Sequence, residues 1–250
     1  MSFLYPNGQC GVTVNGRDLS EFSAKLLAAY TMGACQAETD TFQGKNRSTL
    51  LLLGQTWGAM EIVLPLEFWG QSRQDTVNRW TAFCQAVSGP VTLDLGDGYE
   101  YACAVTDLGT PAFIADGYLT TDVTFRGMRQ KPQVTISTET DFGASIACAS
   151  TFPRTDCVIR LPQSLLGGAD RVSVELGTNS WYLEHSFTGS QELVLDGVNK
   201  IFLLGGENIT AKMDWEDFPY LTPGENPIGV YINTIGVTRG VEISYRPTFF

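Results

Sequence analysis

Between Trp215 and Pro227 the chain reads Trp-Glu-Asp-Phe-Pro-Tyr-Leu-Thr-Pro-Gly-Glu-Asn-Pro, and this proline-punctuated run limits the fold more than any other stretch. Pro219 and Pro227 rule out a helix across it, because proline lacks an N–H and pushes the preceding residue out of the α region. Pro223-Gly224 is a type II turn signature: proline presets φ at the first central position and glycine accepts a positive φ at the second. Phe218 and Leu221 are apolar in a loop otherwise rich in proline and charge, which suits side chains that plug the open end of a β-sandwich. Beyond the loop, Val241, Ile243 and Tyr245 alternate with Glu242, Ser244 and Arg246. That alternation predicts an antiparallel strand with one buried face.

The remaining sequence is read as mostly β. Twenty-six glycines and scarce helical periodicity favour many turns. Val12 to Gly16 reads as a strand entering an Asn-Gly turn. Leu19 to Tyr30 fits a helix or an extended segment equally well. Ala34 to Ser48 reads as a long loop or a loose hairpin, a kind of segment used for contact. Met60 to Trp69 is strand-like, and Pro65 within it predicts an edge position or a bulge. Ser72 to Val87 is the one helix: Ser72 caps it, Asp75 occupies the capping-box position, and Val77, Trp80, Phe83, Cys84 and Val87 form one stripe. Ser88-Gly89-Pro90 ends it. Val91 to Leu95 and Tyr99 to Val105 form a hairpin around Gly96-Asp97-Gly98, and Leu119 to Arg126 is a further amphipathic strand. The pattern breaks near Lys131, so residues 1–132 and 133–250 are expected to be separate domains. In the second, Cys157–Leu161, Val172–Leu176, Trp181–Phe187, Leu193–Asp196 and Ile201–Leu204 are strand candidates, a spacing that suggests a sandwich.

Hydrophobic content of 43% and charged content of 17% describe a folding chain. The net charge of −11 disfavours nucleic-acid binding, which needs Lys and Arg against phosphate. The six cysteines form no C-x-x-C pair and none lies near the single histidine, His185, so zinc spacing is absent and free thiols are expected. Met1 to Gln9 does not read as a signal peptide, and no apolar run reaches membrane-spanning length. No cofactor is implied.

The order Leu193-Val194-Leu195-Asp196, Lys200 to Gly206, then Phe218-Pro-x-Leu-x-Pro-Gly-x-Asn226, then Ile243-Ser-Tyr-Arg-Pro247 resembles the C-terminal half of siphophage distal tail proteins. The first half adds Asn15-Gly-x-Asp-Leu19, Phe42-x-Gly-x-Asn-Arg47, then strand, helix and Gly89-Pro90 before Leu93-Asp-Leu95, so the resemblance covers nearly the whole chain. It implies an N-terminal tail-tube-like β-sandwich or split barrel with one packed helix, closing as a homohexamer ring around a channel. It also implies a C-terminal galectin-like β-sandwich on the outside. The implied partners are the tail tube protein, a tail-tip lysin or fibre protein, and receptor-binding proteins, with the protein residing at the tail tip of the virion. No membrane contact and no sequence-specific nucleic-acid binding are implied. This length leaves no room for an inserted carbohydrate-binding module.

Candidate sites are few. Asp94-Leu-Gly-Asp-Gly98 looks like a calcium loop but lacks the further oxygen ligands, and a hairpin turn explains it. Asp214, Glu216 and Asp217 could supply paired carboxylates, yet they sit side by side in a loop with nothing to raise one pKa. His185 has no nucleophile or second histidine nearby in sequence. No catalytic or metal residues are therefore assigned, and the chain is read as a non-enzyme. Trp181 and Tyr182 are candidates for stacking a saccharide, which gives an alternative reading: a module that grips host-surface saccharide through the C-terminal sandwich. Phe42, Lys45 and Arg47 are candidates for a ring or tube contact loop.

Overall fold

The computed structural model describes residues 11–42, 51–139, 144–188, 191–233, 235–236 and 240–250. They form two compact units, Met1–Gln130 with Phe250, and Lys131–Phe249. Each has its own apolar core.

The first unit contains β1 (Thr13–Val14), β2 (Arg17–Asp18), β3 (Ala24–Leu26), β4 (Thr31–Met32), β5 (Ala37–Phe42), β6 (Leu51–Trp57), β7 (Met60–Trp69), α1 (Arg73–Ala86), β8 (Pro90–Asp94), β9 (Glu100–Asp107), β10 (Ala112–Ala115) and β11 (Tyr118–Gln130). The main sheet runs β2-β1-β8-β9-β11-β7-β3, with β10 beside β11 and β4 beside β7. Asn15 and Gly16 both have positive φ, 51° and 75°, so the Asn-Gly dipeptide makes the tight turn between β1 and β2. Residues 19–30, ambiguous by periodicity, divide into a 3-10 turn over Leu19–Phe22 and the short strand β3.

Pro65 is neither at a free edge nor at a bulge. It pairs with Asp122 of β11 on one side of β7. On the other side β3 covers Leu66–Phe68 and β4 covers Ile62–Val63, and Pro65 falls in the gap between them. There its carbonyl accepts from the Leu27 N–H at 2.8 Å, and no strand asks for the N–H that proline lacks.

Ser72 caps α1, accepting from the Asp75 N–H at 3.2 Å. Asp75 does not complete a capping box; its carboxylate accepts from Gln71 N at 2.8 Å and pairs with Arg79. Phe83 and Val87 are fully buried, while Trp80 lies half-buried on Phe68 and Phe83. The stripe also contains a buried polar residue: Thr76 donates to the carbonyl of Gly117 at 2.9 Å.

The second unit contains β12 (Val134–Glu139), β13 (Ser145–Cys148), β14 (Thr155–Leu161), α2 (Gln163–Leu166), β15 (Arg171–Leu176), β16 (Asn179–Glu184), β17 (Leu193–Asp196), β18 (Ile201–Leu204), β19 (Glu207–Asn208), β20 (Asp214–Trp215), β21 (Tyr220–Leu221), β22 (Gly224–Ile232), β23 (Ile235–Gly236) and β24 (Gly240–Tyr245). One sheet runs β12-β24-β14-β17-β18-β19 and the other β13-β22-β15-β16-β20. Their inward residues meet in one core: Ile159, Leu195 and Ile243 from the first sheet, Val174, Trp181 and Val230 from the second. Strand residues thus dominate both units, and α2 is a one-turn helix that periodicity did not reveal.

Candidate functional site

The Trp215–Pro227 run closes one end of this sandwich. Gly224 takes φ 87°, as a type II turn needs at that position. Phe218 packs on Trp215 and Phe202, with ring centroids 4.5 and 5.1 Å apart, and Leu221 is fully buried. The run is only half a loop. From Gly224 it becomes β22, and Pro227 is accommodated there opposite Ser145 of β13. The Cys157 N–H donates to the Pro219 carbonyl at 3.1 Å, which ties the loop to β14. Asn226, 2% exposed, holds the turn together. Its side-chain oxygen accepts from the N–H and hydroxyl of Thr222, and its amide donates to the carbonyls of Thr222, Gly224 and Ile146.

Trp181 and Tyr182 are neighbours on β16 and face opposite sides of the sheet. Trp181 is 1% exposed, sits in the core, and donates its indole N–H to the Asp217 carbonyl at 2.7 Å. Tyr182 is half-buried on the outer face, its hydroxyl donating to Glu184 at 2.6 Å. The two rings therefore do not combine into one stacking surface.

The carboxylates do not converge on a catalytic pair. Asp217 is partly desolvated, yet the Arg154 guanidinium at 2.5 Å and the Phe218 N–H hold its carboxyl below the usual range. A general acid needs the opposite shift. Asp214 lies on the outer face opposite Tyr182 in register. Asp94 and Asp97 accept from the Gly96 and Tyr99 N–H groups, so their oxygens organise the hairpin itself. Among the described residues no group of acids, histidines and cysteines has metal-site geometry. His185 stands edge-on to Phe187, and its N–H donates to the Asp170 carbonyl. Burial pushes the Cys103 thiol up to about 12 and the Cys157 thiol higher still, which suits inert core thiols.

Phe42 ends β5, and Lys45 and Arg47 lie outside the described residues. β5 and β6 pair only with each other among the described residues, forming a two-stranded ribbon with a register shift between Asp40 and Thr41. Residues Ala37 to Thr41 of this ribbon are exposed. The hairpin reading of Ala34 to Ser48 is the one the backbone adopts where it is described. The Trp57 ring at the end of β6 lies 4.3 Å from that of Phe250.

Residues 155–249 match the family described as siphovirus-type tail component, C-terminal domain. No curated protein matches the chain. Among solved structures the chain is similar to the Dit protein of phage SPP1, described as a paradigm of the hub adsorption apparatus in phages infecting Gram-positive hosts. The TM-score is 0.68 at 13% identity, covering 96% of this chain and 99% of that one. Two structures of the phage p2 baseplate in its activated conformation, with strontium and with calcium, match at TM-score 0.50 and 12% identity, covering 92% of each chain. Residues 155–249 therefore match the model of siphovirus-type tail component C-terminal domains, and the chain as a whole has the fold of the SPP1 Dit protein.

Proposed function

We propose that this chain is the hub of a long phage tail, a structural virion protein that joins the tail tube to the tip or baseplate. The observation that carries the reading is the end-to-end correspondence with the hub protein of phage SPP1, in which neither chain has a large unmatched part. Residues 1–132 act as the ring-forming domain and 133–250 as an outer galectin-like domain. Six copies close the ring by heterologous contacts, in which one surface of each subunit meets a different surface of its neighbour. One face takes the tail tube protein, the other a trimeric tip, lysin or fibre protein, and receptor-binding proteins sit around the outer domains. The β5–β6 ribbon, whose residues Ala37 to Thr41 are exposed, is a contact element for ring or tube, together with Phe42, Lys45 and Arg47. The mechanism is mechanical: the ring transmits force and leaves an open channel. An acidic lining lets DNA pass without sticking, in keeping with the net charge of −11.

The test is the mass of the purified protein by light scattering over a concentration series, alone and with the tail tube protein. A hexamer or a stack of two hexamers supports the hub. A monomer under both conditions overturns it.

A further inference from the structure

The outer face of the second unit's β22–β15–β16 sheet carries two tyrosines aligned across three adjacent strands. Ser173 of β15 pairs in register with Tyr231 of β22 on one side and Tyr182 of β16 on the other. The two tyrosines therefore flank one serine on three adjacent strands, with backbones about 10 Å apart, two strand spacings. All three side chains are half-buried and face outward, opposite the core residues Val174, Trp181 and Val230.

Both rings are held. Tyr231 lies over Gly229: a Cβ added there would come within 3.1 Å of its ring and 3.2 Å of its hydroxyl. Its hydroxyl bonds Glu175, and the Tyr182 hydroxyl bonds Glu184 and takes a further bond from Arg171. Fixing aromatic side chains before binding lowers the ordering cost of a ligand that stacks on them.

We propose that Tyr182 and Tyr231, with Ser173 between them, form a platform for a neutral linear oligosaccharide. Two pyranose rings separated by one intervening sugar would stack on the tyrosines while Glu175, Glu184 and Arg171 bond hydroxyls of the chain. Three features favour this occupant. The apolar area is confined to two ring faces rimmed by hydrogen-bonding groups, which suits a sugar better than the continuous apolar groove that takes an amphipathic helix. β15 is bonded on both sides, so its main chain is not open to an added peptide strand. Glu175, Glu184 and Asp214 outnumber Arg171 on this face, which disfavours anionic polymers. The surface differs from a Trp181–Tyr182 pair and does not depend on the hub reading.

The experiment is calorimetric titration of the full chain with neutral hexasaccharides of glucose, mannose and N-acetylglucosamine, with sulfated hexasaccharides as charged comparators. At least one neutral probe is expected to bind. Tyr182→Ala and Tyr231→Ala should each weaken it roughly three- to tenfold, the scale of one lost aromatic contact. Gly229→Ala, which displaces the Tyr231 ring without removing it, should weaken binding in the same direction with an unchanged melting temperature. Absence of binding to every neutral probe at about millimolar concentration overturns the proposal. So does binding that survives both tyrosine substitutions, or a face whose substitution disturbs only association with tail proteins. Light scattering on the same variants separates this outcome from failure of the hub reading: the platform predicts that their assembly state stays that of the parent.

Discussion

The indole N–H of Trp181 donates to the main-chain carbonyl of Asp217 at 2.7 Å, joining a core strand to the proline-rich loop 36 residues further along the chain. The loop is thus anchored from inside by the sandwich. Trp181→Ala is expected to destabilise the second unit by about 3–5 kcal/mol, the usual cost of truncating a buried aromatic. Trp181→Phe keeps most of the packing but strands the carbonyl, at about 1–3 kcal/mol. Urea unfolding should show lower midpoints in that order; an unchanged midpoint for the alanine variant would contradict a core role.

Asn226 satisfies five groups around one turn, so its removal leaves several buried partners unmet. Asn226→Ala should cost at least about 2 kcal/mol. Asn226→Asp should be worse near neutral pH, because a carboxylate cannot donate to three carbonyls. Burial raises the folded-state pKa of the introduced acid above its unfolded value. The variant's stability is then best below the unfolded pKa and is lost as pH rises through the folded one. A melting temperature for Asn226→Asp that does not climb on acidification would refute this.

Asp75 gives the opposite pH dependence in the first unit. The Gln71 N–H and Arg79 hold its carboxyl below the ordinary range. A depressed folded pKa contributes stability that is present above the unfolded value, near 3.9, and is lost as the pH falls through the folded value. Asp75→Asn should therefore lower the melting temperature near neutral pH, and the difference should vanish in strong acid. An equal difference at both ends of the pH range would show that charge is not the cause.

Gly197 sits where no side chain fits: an added Cβ would lie 2.0 Å from the Pro219 carbonyl oxygen and 2.7 Å from that of Cys157. Both are backbone atoms, and the Cys157 carbonyl also accepts the Gly197 N–H at 2.9 Å. Gly197→Ala should push the loop off β14 and cost about 1–3 kcal/mol, as overpacking does. Faster proteolysis at the Trp215–Pro219 segment would report the displacement. A variant as resistant as the parent would show that the loop yields without penalty.

What could be read from the residues alone depended on how local the signal was. Leu193–Asp196 and Ile201–Leu204 announce themselves as apolar runs bounded by glycine and polar residues, and both are strands with those limits. The helix was legible from Ser72 and from Phe83 and Val87, but Thr76 was not. Its burial depends on the Gly117 carbonyl 41 residues away, which no periodicity encodes. Pro65 suggests an edge or a bulge in sequence, yet a proline is tolerated inside a sheet wherever no neighbouring strand needs its N–H, and that is decided by the register of other strands. At the candidate sites, Trp181 and Tyr182 look alike in sequence, and the pleat separates them. Tyr231 was passed over because its partner Tyr182 is 49 residues distant and the two meet only through Ser173. The signal available was Gly229, two residues before it and on the same face.

The gap at Pro65 also bears on what β7 can offer to another molecule. β7 is a ten-residue strand, and a rim of that length would offer a continuous template for strand addition between molecules. Instead it is capped by two fragments of three and two residues, with a proline facing the break. A strand arriving from another molecule finds too few aligned donors and acceptors to zip against. The break thereby disfavours sheet fusion and amyloid-like polymerisation along β7.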